Sequence, residues 1–105
     1  MNNSKLEYAD HINRIIKTPR TIDEAVNQLL IILTDAEKQN IRVMQQEDLI
    51  LLQFDLGKAI RKAYVLKDEN VELMVSCNSI DTQECSMKII EGLWIQLNFN
   101  SRDLS

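Results

Sequence analysis

Glycine and proline are nearly missing, with two glycines and one proline in 105 residues. A sandwich or barrel of short strands builds its many turns from these residue types, so their scarcity argues against an all-β fold. It points to helices joined by short capped loops. Histidine occurs once, at His11, and cysteine twice, at Cys77 and Cys85. Those three residues cannot complete a four-ligand zinc site without carboxylates. The longest apolar run, Leu29 to Leu33, is far short of the ~20 residues that cross a bilayer. The opening MNNSKLEYAD has no apolar stretch of the kind a signal peptide needs. There is no glycine-rich phosphate loop, no HExxH helix and no calcium-loop pattern. Together these absences predict a cytoplasmic protein without a cofactor, whose two cysteines are reduced thiols inside the core.

What the chain does have is the composition of an ordinary soluble domain, 45% apolar and 27% charged. Its length suits a single domain spanning residues 1–105. The net charge of −4 is the wrong sign for a phosphate-binding surface, which excludes general nucleic-acid binding. The charge is also unevenly placed. Lys58, Arg61, Lys62 and Lys67 cluster without an acid among them, and acid-rich stretches lie on either side at 21–57 and 68–105. Acidic segments of this kind keep a protein soluble, and they also complement a basic protein partner.

Helix starts are legible. Ser4 precedes an amphipathic stripe of Leu6, Ala9, Ile12 and Ile15/Ile16, predicting an N-terminal helix over 1–18 that Pro19 ends. Thr21 with Glu24 and Thr34 with Glu37 have the spacing of reciprocal capping boxes. They predict helices through Leu33 and on to Val43 or Met44. The broad apolar face of Leu49, Leu52, Leu56, Ile60 and Ala63 predicts one long central helix over about 46–64. Asn70 can cap a short helix carrying Val71, Leu73, Met74 and Val75. Asp81 with Glu84 offers a third reciprocal cap, opening a last helix through Leu97, with a frayed tail over 99–105. The expected fold is therefore an all-α, irregular single-domain bundle of about six short helices around the central one.

The search for chemistry gives little. His11 has no Ser or Cys at helical spacing to activate as a nucleophile. The paired carboxylates fall at helix starts, where they complement exposed amides and the helix dipole without any reaction. No enzyme is expected. Three residues read as structural. Trp94 sits among Ile90, Leu93 and Leu97 as a core residue. Arg61, flush with an apolar face, calls for an ion pair with an acid such as Asp81. Gly57, in mid-helix, costs ~1 kcal/mol relative to alanine, which close approach of another helix would offset.

Several stretches carry a resemblance. TIDEAV at 21–26, the F-x-L-G-x-x-I-R skeleton of Phe54, Leu56, Gly57, Ile60 and Arg61, then Asn70, Leu73 and the run from Asp81 through Ser86 to Leu93-Trp94 are similar to a family of small bacterial helical domains of unknown function. The resemblance covers about residues 20–97. It departs at Asp55, Lys62 and Lys67, where the family favours Gly, Asn and Trp. In size, charge and helical character the chain also resembles the immunity proteins of contact-dependent growth inhibition systems. That resemblance implies a cognate toxin as partner, often a nuclease acting on tRNA, with no direct nucleic-acid or membrane contact. The expected contact residues are then Asp68, Glu69, Glu72, Asp81 and Glu84. The alternative is a helical adaptor that self-associates through an exposed apolar face.

Overall fold

Thr21 and Thr34 do what their spacing predicts. In the computed structural model, which describes residues 18–65 and 69–100, Thr21 Oγ1 accepts the Glu24 amide at 3.1 Å and opens α1, Ile22–Ile32. Thr34 and Glu37 exchange both bonds of a capping box and open α2, Asp35–Arg42. The box at Thr21 is only half formed, because the Glu24 carboxylate reaches past Thr21 and accepts the Arg20 amide at 2.8 Å. Lys38 Nζ donates to the Leu30 carbonyl at 2.9 Å, satisfying an orphan acceptor at the end of α1. The predicted N-terminal helix lies outside the described residues.

The single helix expected over 46–64 is three pieces. Gln46–Phe54 is a 3-10 segment, Leu56–Ile60 is a short α-helix (α3), and Arg61–Val65 continues it as a π-turn. The break falls at Asp55, whose backbone leaves the helical region (φ −120°, ψ −69°) and whose carboxylate accepts the Leu56 amide at 2.8 Å. Physically, Asp55 competes with the helix ladder by offering its own oxygen to the next backbone donor. The segment before it, with Leu49 to Leu52 consecutive in sequence, has no apolar stripe of helical period. It buries Leu49 and leaves Ile50, Leu51 and Phe54 exposed.

The central position belongs instead to α5, Thr82–Ile95, which packs against α1, α3, α4 (Val71–Cys77) and the 3-10 segment. Its inward residues Cys85, Ile89, Ile90 and Leu93 are fully enclosed. They share one core with Leu29, Ile41, Leu56, Ile60, Tyr64 and Leu73. Helix α1 packs along α5, and the two meet at Gly92: a β-carbon there would stand 3.1 Å from Val26 Cγ2. Beyond Ile95 the helix continues as a π-turn, Gln96–Asn100. Phe99 and Asn100 are thus helical rather than part of a frayed tail. The fold is all-α, and no strand occurs among the described residues.

The two cysteines are buried as expected, but they are not thiols. Cys77 at the end of α4 and Cys85 in the first turn of α5 form a disulfide, with their α-carbons 5.3 Å apart. The expectation of thiols came from the cytoplasmic setting, and a separation of eight residues permits the bridge. The chain reversal at Asn78, which adopts the left-handed conformation (φ 55°), brings the two helix ends together.

Candidate protein-binding edge

Helix α4 is held at both ends by side chains. At its start the buried Asn70 accepts the Leu73 amide through Oδ1 at 3.2 Å. Its Nδ2 donates to the carbonyls of Pro19 at 2.7 Å and Tyr64 at 2.9 Å. One amide therefore ties together the entering chain, the π-turn and α4. Ser76 Oγ accepts the first helical amide of α1, Ile22 N–H, at 2.9 Å, and Arg20 ion-pairs with Glu72. At the far end Asn78 and Ser79 close α4, the Ser79 amide donating to the Met74 carbonyl at 3.3 Å. The disulfide and Lys88 Nζ, which donates to the Cys77 carbonyl at 2.7 Å, fix that end to α5.

This frame divides α4 into two faces. Leu73 and Cys77 point into the core, while Val71 and Val75, one turn apart, are 67% and 72% exposed. Ile80, in the turn between α4 and α5, is fully exposed at 100%. Val71, Met74, Val75 and Ile80 line an open groove of about 850 Å³, with Glu69 and Glu84 also lining it. Among the described residues no lysine or arginine lines it.

The expected contact acids are distributed around this groove unequally. Glu69 and Glu84, fifteen positions apart in sequence, meet on it. Glu72 faces an adjoining cleft with Glu69 and Arg20, already engaged by the Arg20 guanidinium. Asp81 serves as the cap of α5, accepting the Gln83 amide at 2.9 Å. Its partner in the expected reciprocal cap, Glu84, turns away and accepts the Ser79 hydroxyl instead. Asp68 lies outside the described residues. What the sequence reading missed is the apolar part, Val71, Val75 and Ile80. Its one visible signal is Ile80 itself, an isolated apolar residue in the polar turn Asn78-Ser79-Ile80-Asp81.

The structural residues also depart from expectation. Arg61 pairs with no acid among the described residues; Nη1 donates to Ser86 Oγ at 3.1 Å and Nη2 to the Gln53 carbonyl at 3.3 Å. It is a strut from the start of the π-turn to the end of the 3-10 segment and to α5, and Asp81 is not its partner. Gly57 makes room for this strut rather than for a neighbouring helix. A β-carbon at Gly57 would stand 3.3 Å from Arg61 Nη1 and 3.4 Å from the Leu52 carbonyl oxygen. Trp94 is half-buried; its indole N–H donates to the Met44 carbonyl at 2.9 Å, and its ring meets Phe99 edge-on at 6.4 Å. Burial pushes the Tyr64 hydroxyl well above the ordinary phenol range. Among the described residues no three His, Cys, Asp or Glu side chains are grouped to hold a metal. No described helix is long and apolar enough to cross a membrane.

A family model described as a domain of unknown function (DUF6794) matches residues 18–97, well over half of the chain. No curated protein matches the chain, and no solved structure does.

Proposed function

The chain belongs to that family, whose description states no activity, and on this footing we propose that it is a bacterial immunity-type protein. It binds and neutralises a cognate basic toxin, of the nucleic-acid-cleaving class, by covering the toxin's cationic cleft with the acidic edge along α4. The observation that carries the reading is that Glu69 and Glu84 both line one open groove, on which no cation stands among the described residues. A carboxylate pair so placed favours a cationic protein surface by complementarity and speeds its capture. The protein works in the cytoplasm, where disulfides are uncommon. The reading therefore carries its own check: the chain with Cys77 and Cys85 reduced must still neutralise the toxin.

The test uses the neighbouring reading frame. A toxic protein encoded beside this chain is expressed with it, and growth is followed. Wild-type chain restores growth, and the Glu69→Lys/Glu84→Lys variant does not, although its helical circular dichroism is unchanged. Rescue by the charge-reversed variant removes the acidic edge from the reading. Absence of any rescue by the wild type removes the reading itself.

A second reading is a self-associating helical adaptor, favoured by the exposed Ile50, Leu51 and Phe54 on the 3-10 segment. Sedimentation at several concentrations separates the two. An adaptor of this kind gains mass as concentration rises, and its Phe54→Ser variant does not.

A further inference from the structure

We infer that the α4 groove is an anchor slot: it takes an apolar side chain from a protein segment whose flanking residues are lysine or arginine. This rests on the preceding reading and goes beyond it, because it makes recognition depend on an apolar anchor within an acidic frame and not on charge alone.

The lining states the chemistry of the occupant. Val71, Val75 and Ile80, which all line the groove, offer apolar surface that the fold leaves uncovered, at 67%, 72% and 100% exposure. Met74 lies on the same groove, and Glu69 and Glu84 share it. An occupant that covers the valines and Ile80 therefore brings its flanks within reach of two carboxylates. A neutral or acidic segment would bury those charges against nothing, whereas a cationic one pairs them. The chain already shows such a pairing at the neighbouring cleft, where the Arg20 guanidinium sits on Glu72 beside Val71.

The same lining weighs against other occupants. A second copy docked groove to groove would bring Glu69 and Glu84 against their own counterparts. An anionic lipid surface would be repelled by Glu69 and Glu84. The slot is also held in shape before anything binds, by the Asn78 turn, the Cys77–Cys85 disulfide and the Ser79 hydroxyl that holds Glu84. Anchors in such preformed pockets dominate interface energetics.

The probe is a short synthetic helical peptide with a leucine stripe flanked by lysines. One control replaces the leucines with serines, and another replaces the lysines with glutamates. Binding to the full chain is read by amide chemical shifts and by titration at several salt concentrations. The leucine–lysine peptide is expected to shift the amides of Val71, Val75 and Ile80. Each control is expected to bind at least about tenfold more weakly, the loss that follows from leaving one apolar side chain or one charge pair unmade. Ile80→Ser, at a fully exposed position, is expected to weaken the peptide about tenfold without moving the urea midpoint. If the serine control binds equally, or Ile80→Ser has no effect while Glu69→Gln/Glu84→Gln abolishes binding, the anchor is overturned and the acidic-edge reading stands. If no variant at either position alters binding, both fall. Self-association, or binding to phosphatidylglycerol vesicles, that Ile80→Ser removes would reassign the slot and overturn the inference.

Discussion

Gly92 is the position at which a favourable local change becomes an unfavourable global one. Alanine there improves helix propensity in the middle of α5 by about 1 kcal/mol. Its β-carbon, however, arrives 3.1 Å from Val26 Cγ2, against an ordinary carbon–carbon separation of about 3.5–4.0 Å. Val26 is only 4% exposed, and a β-branched side chain in a helix has one strongly preferred rotamer, so it cannot turn aside. Relief has to come from separating α1 from α5. Overpacking of this kind costs about 1–3 kcal/mol. The net expectation for Gly92→Ala is a loss of up to about 2 kcal/mol. Val26→Ala removes the obstructing carbon, and in that background Gly92→Ala should stabilise by about 1 kcal/mol. The measurement is urea unfolding of the wild type, both single variants and the double, comparing midpoints at constant slope. The informative quantity is the sign change between backgrounds. Equal effects of Gly92→Ala in the two backgrounds would refute close packing of α1 on α5 at this point.

Three further outcomes follow from the same geometry. Reducing the Cys77–Cys85 bond, which closes a loop of eight residues, should lower stability by about 2.5 kcal/mol on the loop-entropy estimate, and a urea midpoint indifferent to reductant would contradict the bridge. The Tyr64 hydroxyl is buried with no hydrogen-bond partner among the described residues, so Tyr64→Phe should be neutral or stabilising by about 1 kcal/mol. Burial raises that hydroxyl above its ordinary pKa of 10.0, so above that pH the unfolded chain releases a proton the folded chain keeps. Stability should then fall with rising pH, by up to about 1.4 kcal/mol per unit, and Tyr64→Phe should remove that slope; an unchanged alkaline slope in the variant counts against it. Glu69 sits in the left-handed region at φ 47°, which asparagine tolerates better, so Glu69→Asn should stabilise by about 0.5–1 kcal/mol while weakening a cationic partner, and a stability loss in urea would disprove the strain.

The caps at Thr21, Thr34, Asn70 and Asp81 were legible because each is a bond between residues two or three apart, written in adjacent sequence. The long helix over 46–64 was not. Leu49, Leu52, Leu56 and Ile60 are spaced as one face, but the consecutive run Leu49 to Leu52 sets no single side, and at Asp55 a side-chain oxygen competes with the ladder. Arg61 was recognisable as needing a partner, yet that partner, Ser86, lies 25 residues away. Nothing local distinguishes a carboxylate from a hydroxyl and a carbonyl as its acceptor. The acids of the candidate edge were visible as charge. The groove was not, because Val71, Val75 and Leu73 look alike in sequence, and only the tether of α4 at both ends decides which of them faces outward.

That tether has a consequence for how stability and binding are linked. A helix of seven residues does not persist in water by itself. Here the Asn70 amide, the Ser76 hydroxyl, the Arg20–Glu72 pair, Lys88 and the disulfide hold α4 from its ends and its sides. Val71 and Val75 take no part in that frame and stay exposed. A partner therefore meets an edge already ordered, and the ordering entropy it would otherwise have to supply is met by folding. Loosening the frame, by Asn70→Ala, should weaken binding and stability together. Changing the slot, by Ile80→Ser, should weaken binding alone. The two kinds of variant thus separate along different axes, and a set in which affinity tracked stability at both would mean that the slot does not exist apart from the scaffold beneath it.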